Sequence, residues 1–144
     1  MAVDGFTIEI PSDAKYAKVV RGAVTYACEL GGFSPETGQA VTLAVDEAVT
    51  NIIRHAYQSE PGHSIRVTCR ITPRRLEILL QDNGRKADPG TMKPRDLNEI
   101  RPGGLGLHFI KSIMDVVDYQ SDDTGNQLLL AKNLPGSRDP DAQD

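Results

Sequence analysis

A chain of 144 residues with 16 basic and 20 acidic side chains and a formal charge of -4 fits one domain, long enough to bury a core without covalent staples. The charge is mild and unsegregated, which argues against nonspecific nucleic-acid binding and for a small-molecule or protein partner. The two cysteines, Cys28 and Cys69, lack a CxxC partner or a histidine at ligand spacing, so neither a zinc site nor a disulfide framework is indicated and a reducing compartment suits best.

The opening MAVDGFTIEIPSD is acidic and alternating, where a secretory signal needs a basic start and a continuous apolar run. No apolar stretch approaches the roughly 20 residues that span a bilayer. A soluble cytoplasmic protein without a membrane segment is expected. Within that opening, FTIEI alternates with period two up to Pro11, the pattern of a first strand. Ser12 and Asp13 are placed to cap a helix from about Ala14 to Leu30, ended by Gly31 and Gly32.

SPETG opens a second helix and SEPGH closes it near residue 58, so the two helices should be antiparallel or crossed neighbours. On a wheel of about 100° per residue, Val41, Val45, Ala48, Val49, Ile52 and Ala56 form its core stripe. Glu47 and Asn51 stand together on the far side beside Ala40, Leu43 and Ala44, where a solvated face would carry lysines and glutamates. Small neighbours suit a cavity wall on which a carboxylate acts as a base and an amide oxygen ligates a hard cation such as Mg²⁺. By itself an ExxxN spacing arises often by chance on an amphipathic helix edge.

SIRVTCRI and RLEILLQ alternate like paired strands joined at TPRR. The second strand runs directly into Asp82, Asn83 and Gly84. A carboxylate there can accept a charge-assisted hydrogen bond from a ligand amino group, about 1.5–3 kcal/mol, and a glycine lets backbone pass close to a flat ring. An ordinary Asn-Gly turn would read the same in isolation. Residues 82 to 104 are rich in Gly, Pro and charge and read as a long loop, of the length that often serves as a lid.

Gly103, Gly104 and Gly106 then lead into an apolar helix from about Leu105 to Met114. Free N–H groups and the helix dipole make such an end attractive to phosphate; a plain hinge is the competing reading, and no GK[ST] follows to make a Walker A loop. VVDYQS, a turn at DDTGN and the strand QLLLAK close a domain spanning residues 1–134. The polar tail 135–144 is expected to be disordered. The element order implies an α+β two-layer sandwich, with a mixed, mostly antiparallel sheet covered on one face by helices.

Taken in order, ExxxN on a helix, DxG at a strand end, a long loop and GGLGL opening a helix resemble the Bergerat-type (GHKL) ATP-binding fold of gyrase, Hsp90 and histidine kinases, over almost the whole chain. The resemblance is closer to the anti-sigma-factor serine kinases of the RsbW and SpoIIAB type, whose N box is similar to DEAVTNIIRHAY and whose second glycine box is similar to GGLGLHFIKSIMD. It implies ATP or ADP and Mg²⁺ as cofactors, with Glu47 as general base, Asn51 as Mg²⁺ ligand and Asp82 as the partner of the adenine amine. Gly84 would permit adenine packing, Gly104, Leu105, Gly106 and Leu107 would form the phosphate-facing turn, and residues 85–103 would form the lid, with Lys86 or Arg101 as candidate phosphate cations. The partners implied are a sigma factor, an anti-anti-sigma antagonist carrying the acceptor serine, and a second copy of the chain, with no direct nucleic-acid contact.

Two departures stand out: Lys86 replaces the second glycine of a DxGxG box, and Gln127 stands near the place of a threonine that helps bind adenine through water. A nucleotide-responsive binding switch without useful catalysis, and a stand-alone histidine-kinase-like ATPase, are the alternative expectations.

Overall fold

The computed structural model describes residues 4–86 and 104–136, with Gly104 and Leu105 described by backbone alone. Residues 87–103, which hold most of the expected lid and Arg101, and the tail from 137 onward lie outside the described residues.

Strand β1 (Gly5–Pro11) is followed by a 3-10 turn, Ala14–Tyr16, whose Asp13 cap accepts from the Lys15 N–H. That turn runs into α1 (Ala17–Leu30), so the single helix expected from Ala14 has a tighter first turn. Helix α2 (Pro35–Asn51) begins as its sequence dictates: Ser34 Oγ accepts the Thr37 N–H at 3.2 Å, Pro35 occupies the first turn and Glu36 complements the dipole. A cap of this kind is worth about 1 kcal/mol. The hairpin β2 (Ser64–Ile71) and β3 (Arg75–Asp82) follows, then α3 (Gly104–Ile113), β4 (Val116–Asp122) and β5 (Gly125–Asn133).

The five strands lie in the order β1-β2-β3-β5-β4. Every pairing is antiparallel, so the mostly antiparallel sheet expected carries no parallel pair among the described residues. Helix α1 packs on α2 and α2 on α3, while α1 meets β2 and α3 meets β4, which lays the helices over one face. Period-two alternation carries the sheet's half of the core: Leu76, Ile78, Leu80 and Asp82 of β3 are buried, and Arg75, Glu77, Leu79 and Gln81 between them are half-buried. In register, Val67 meets Leu80, Cys69 meets Ile78 and Ile78 meets Leu130. Each fully buried aliphatic side chain contributes about 1.5–3 kcal/mol relative to exposure. From the helices, Val20, Val24, Val41, Val45, Val49 and Ile110 complete that core. The opposite sheet face is mixed: Arg70 and Arg75 both pair with Glu77, and Leu79 stands in register with Leu129.

Asp82 is the exception on the buried face. It is 7% exposed and ends β3 where the chain departs toward the long connection, so the fold delivers a carboxylate to the junction of sheet and helix layer.

Candidate active site

The site assembles along α2. Glu47 and Asn51 are half-buried and one turn apart, with Ala44 and Ala48 buried between them and the core. Helix α3 packs on this stretch of α2: a Cβ built on Gly106 would fall 2.9 Å from Glu47 Cδ and 3.0 Å from Cγ, and closer still to Oε1. A β-carbon there would force the Glu47 side chain aside, so glycine at 106 lets the first turn of α3 reach the carboxylate where it stands. Gly104, Leu105, Gly106 and Leu107 are that first turn, and helical geometry leaves the N–H groups of its first three residues without intrahelical acceptors.

At Asn51 the helix changes pitch. Ile52–Ala56 is a π turn, closed by the Tyr57 N–H donating to the Ile52 carbonyl at 3.0 Å. Single π turns are characteristic of functional sites. Gln58 and Ser59 then adopt positive φ values of 51° and 61°, a strained pair fixed by the Ser59 N–H donating to Ile53 O at 2.7 Å.

The far end of this turn grips the exit from β3. The Arg85 N–H donates to Ala56 O at 2.7 Å, and a Cβ on Gly84 would lie 2.5 Å from the same oxygen and 2.8 Å from Ala56 Cβ. The close approach that requires glycine at 84 is therefore to the helix backbone. Tyr57 Oη accepts the Asn83 N–H at 2.9 Å and donates to Ser64 O at 2.6 Å.

Asp82 Oδ1 accepts from the Gly84 N–H at 2.9 Å and from Asn126 Nδ2 at 2.8 Å. Burial pushes its carboxyl above the ordinary range, while the Asn126 and Gly84 hydrogen bonds pull it back. Asn126 Nδ2 also reaches Gly84 O at 3.0 Å and Arg85 O at 3.3 Å, tying β5 to the start of the long connection.

One expectation is corrected here. Gln127 does not stand beside Asp82: the register pairs Asp82 with Asn126 and Gln81 with Gln127, and Gln127 Nε2 donates to Gln120 on the outer sheet face. Successive strand residues face opposite ways, so misplacing the residue by one turns it out of the site. Lys86, a candidate phosphate cation, is exposed on the chain leaving β3, within electrostatic reach of Asp122 in the β4–β5 turn. There it assists the dominant Thr124 hydrogen bonds in holding Asp122 below the usual carboxylate range. Arg101 lies outside the described residues.

Helix α2 with its π turn thus touches both other motifs, α3 through Glu47 and the β3 exit through Ala56 and Tyr57. The nine residue steps from Glu47 to Ala56 span about 13 Å of helix. Two residues escaped the reading of the sequence. Asn126 had only its place after Gly125 to mark it, and Tyr57 only its position at the end of an apolar helix.

This geometry has counterparts among known proteins. The family model of the histidine kinase-like ATPase domain matches residues 10–132. The serine-protein kinase RsbW of Listeria monocytogenes serovar 1/2a is 34% identical over 91% of this chain and 88% of the relative. That of Bacillus velezensis is 29% identical over 95% and 90%. Among solved structures, the histidine kinase domain of the Erythrobacter litoralis EL346 blue-light activated kinase has the same fold, with a TM-score of 0.56 at 16% identity over 85% of this chain and 61% of that one. The chain belongs to the histidine kinase-like ATPase family, and within it to the branch of the serine-protein kinases RsbW.

Proposed function

We propose that the protein is an anti-sigma factor and an ATP-dependent protein-serine kinase, which sequesters a sigma factor and phosphorylates the antagonist that would release it. The observation that carries the kinase reading is the seating of Glu47 against the N-terminal turn of α3. That seating sets a base beside a row of free N–H groups suited to phosphate. At the other end of α2, Asp82 uses Oδ1 for both of its described hydrogen bonds, which leaves Oδ2 to accept from the adenine amine.

The donor set fits nucleotide-bound Mg²⁺. Among the described residues no cluster of three or more His, Cys, Asp or Glu gathers, and Mg²⁺ on a nucleotide is commonly held by one or two protein oxygens together with phosphates and water. Asn51 Oδ1 is the protein ligand in this reading, and the ion neutralises phosphate charge when bound. Glu47 accepts the proton of the antagonist's serine hydroxyl as its oxygen bonds to the γ-phosphorus. The bond from that phosphorus to the bridging oxygen of ADP breaks, giving phosphoserine and ADP. The α3 N–H groups stabilise the charge spread over the transferring oxygens.

Sigma-factor binding, the homodimer and a cytoplasmic setting belong to the same proposal. Val19, Tyr26 and Leu30 are exposed on one face of α1, an apolar strip suited to protein association. No helix among the described residues is long and apolar enough to cross a membrane.

The decisive experiment is incubation with labelled ATP, Mg²⁺ and a small antagonist-domain protein from the same genome, followed by phosphoamino-acid analysis. Label on one serine is expected. Label on histidine, or phosphate released only to water, would replace the kinase reading with a phosphorelay domain or ATPase, and nucleotide binding without transfer would leave a binding switch.

A further inference from the structure

Tyr57 is the buried group that the chemistry above does not use. It is 5% exposed, and both hydrogen-bonding capacities of its hydroxyl are committed, one to the Asn83 N–H and one to the Ser64 carbonyl. Its ring stacks on His63 with centroids 4.5 Å apart and planes 2° from parallel. His63 is itself fastened, since its N–H donates to Ser12 Oγ and its carbonyl accepts the Ser12 N–H.

The π turn is what brings the phenol there. An uninterrupted α-helix would carry Tyr57 about 120° from Val45, at the edge of the core stripe. One extra residue in the turn sets the helix back by roughly 100° and swings the ring inward.

Two hydrogen bonds and one close approach from the end of this helix meet three consecutive residues of the β3 exit. Tyr57 Oη holds Asn83, Ala56 O holds Arg85, and the Ala56 backbone limits residue 84 to glycine. Asp82, the acceptor assigned to the adenine amine, is the residue immediately before.

We infer that Tyr57 is a positioning residue for base recognition: its hydroxyl fixes the Asn83 amide, and so the aim of the Asp82 carboxylate, from the same helix that carries Glu47 and Asn51. The inference rests on the nucleotide reading of the site. Without the hydroxyl, the Asn83 N–H loses its acceptor and the turn gains freedom, so Asp82 meets the adenine amine less often. The phosphate-facing turn of α3 is not touched by the change. Loss of one such aligned bond predicts adenine-nucleotide affinity weaker by about 5- to 30-fold.

The test compares binding of ADP and of inosine diphosphate, which lacks the amine that Asp82 would recognise, by calorimetry with Mg²⁺ on the full chain. Wild type should prefer ADP, and Tyr57→Phe should lose ADP affinity while inosine diphosphate binding changes little, so that the preference collapses. Val24→Ala, a core truncation on α1, supplies a control with lowered thermal stability and an intact preference. An unchanged preference in Tyr57→Phe would overturn the inference while leaving the nucleotide site standing. Absence of ADP binding by wild type would overturn both. Amide exchange supplies an arm that does not depend on the variant folding: in ADP-bound wild type the Asn83 N–H should be protected, and exchange at the rate of an unstructured amide would sink the inference.

Discussion

Glu47 and Gly106 come so near that a β-carbon on residue 106 would sit 2.9 Å from the carboxyl carbon of Glu47. The contact joins the middle of α2 to the first turn of α3, elements separated in sequence by a hairpin and a long connection. It predicts that Gly106→Ala destabilises by about 1–3 kcal/mol through overpacking and displaces the base, with serine phosphorylation falling alongside. Because the clash is with the Glu47 side chain, adding Glu47→Ala should recover part of that stability without restoring transfer. Urea denaturation of the two single variants and the double variant measures the coupling. Additive effects would mean that the two residues do not meet.

Glu47→Gln isolates the chemistry from the packing, since the amide keeps the shape of the carboxylate. Transfer to the antagonist's serine should fall by about 10²–10⁴, with ADP affinity within a factor of a few of wild type. Single-turnover kinetics and calorimetry separate the two quantities. Transfer that persists at the wild-type rate would remove Glu47 from the role of base.

Asp82 sets stability against function. Burial is the main cause that raises its carboxyl above the ordinary range, so the native state holds this proton more tightly than the unfolded chain does. The contribution of the group to stability therefore declines as pH rises from the ordinary value of 3.8 through the elevated native value, and the cost is complete above that native value. Asp82→Asn removes that cost while its carbonyl can still accept from Gly84 and Asn126. Its melting temperature should equal or exceed that of wild type at pH 7, with the advantage shrinking as pH falls through the same window. ADP affinity should drop about 10- to 100-fold as a charge-assisted bond is lost. A melting temperature well below wild type at pH 7 would contradict the sign of this argument.

Asn126 and Gln127 are neighbours with opposite expectations. Asn126→Ala removes the donor to Asp82 and to the carbonyls of Gly84 and Arg85, and leaving a buried carboxylate short of a partner costs about 1–3 kcal/mol. Gln127→Ala touches only an amide pair on the outer face and should stay within about 0.5 kcal/mol of wild type. Chemical denaturation of both variants checks the contrast. It also marks where the sequence was legible. Asp82 could be placed on the buried face because β3 alternates without interruption, and the 3.6-residue stripe of α2 sets Glu47 and Asn51 on a common side. The facing of Asn126 depends on how many residues the turn after β4 consumes, and a slip of one residue exchanges the two sheet faces. The π turn was hidden for a related reason: Ile52, Ile53, Ala56 and Tyr57 satisfy an ordinary α-helical pattern, and only the bonds that Tyr57 finds in the folded chain favour the wider turn. The near contact of Glu47 with Gly106 joins residues too distant for any local pattern to signal.

The cysteines test the core apart from the site. Cys28 and Cys69 are both buried, and burial is the chief cause that pushes their thiols up to about 11 and about 12. Unfolded thiols ionise near 8.5, so between that value and the native ones the folded state retains protons that the unfolded chain releases. Stability carried by this difference is complete below about pH 8.5 and is lost as pH rises toward 11 and 12. The unfolding free energy should decline above pH 9, and the decline should be shallower in Cys28→Ala and Cys69→Ala, each compared with its own value at pH 7 to allow for the lost packing. At pH 8 the native thiolate population is so small that iodoacetamide should label the folded protein more than about 100-fold more slowly than the unfolded chain. Rapid labelling of either thiol at full native stability would show that the helix layer opens over the sheet without global unfolding.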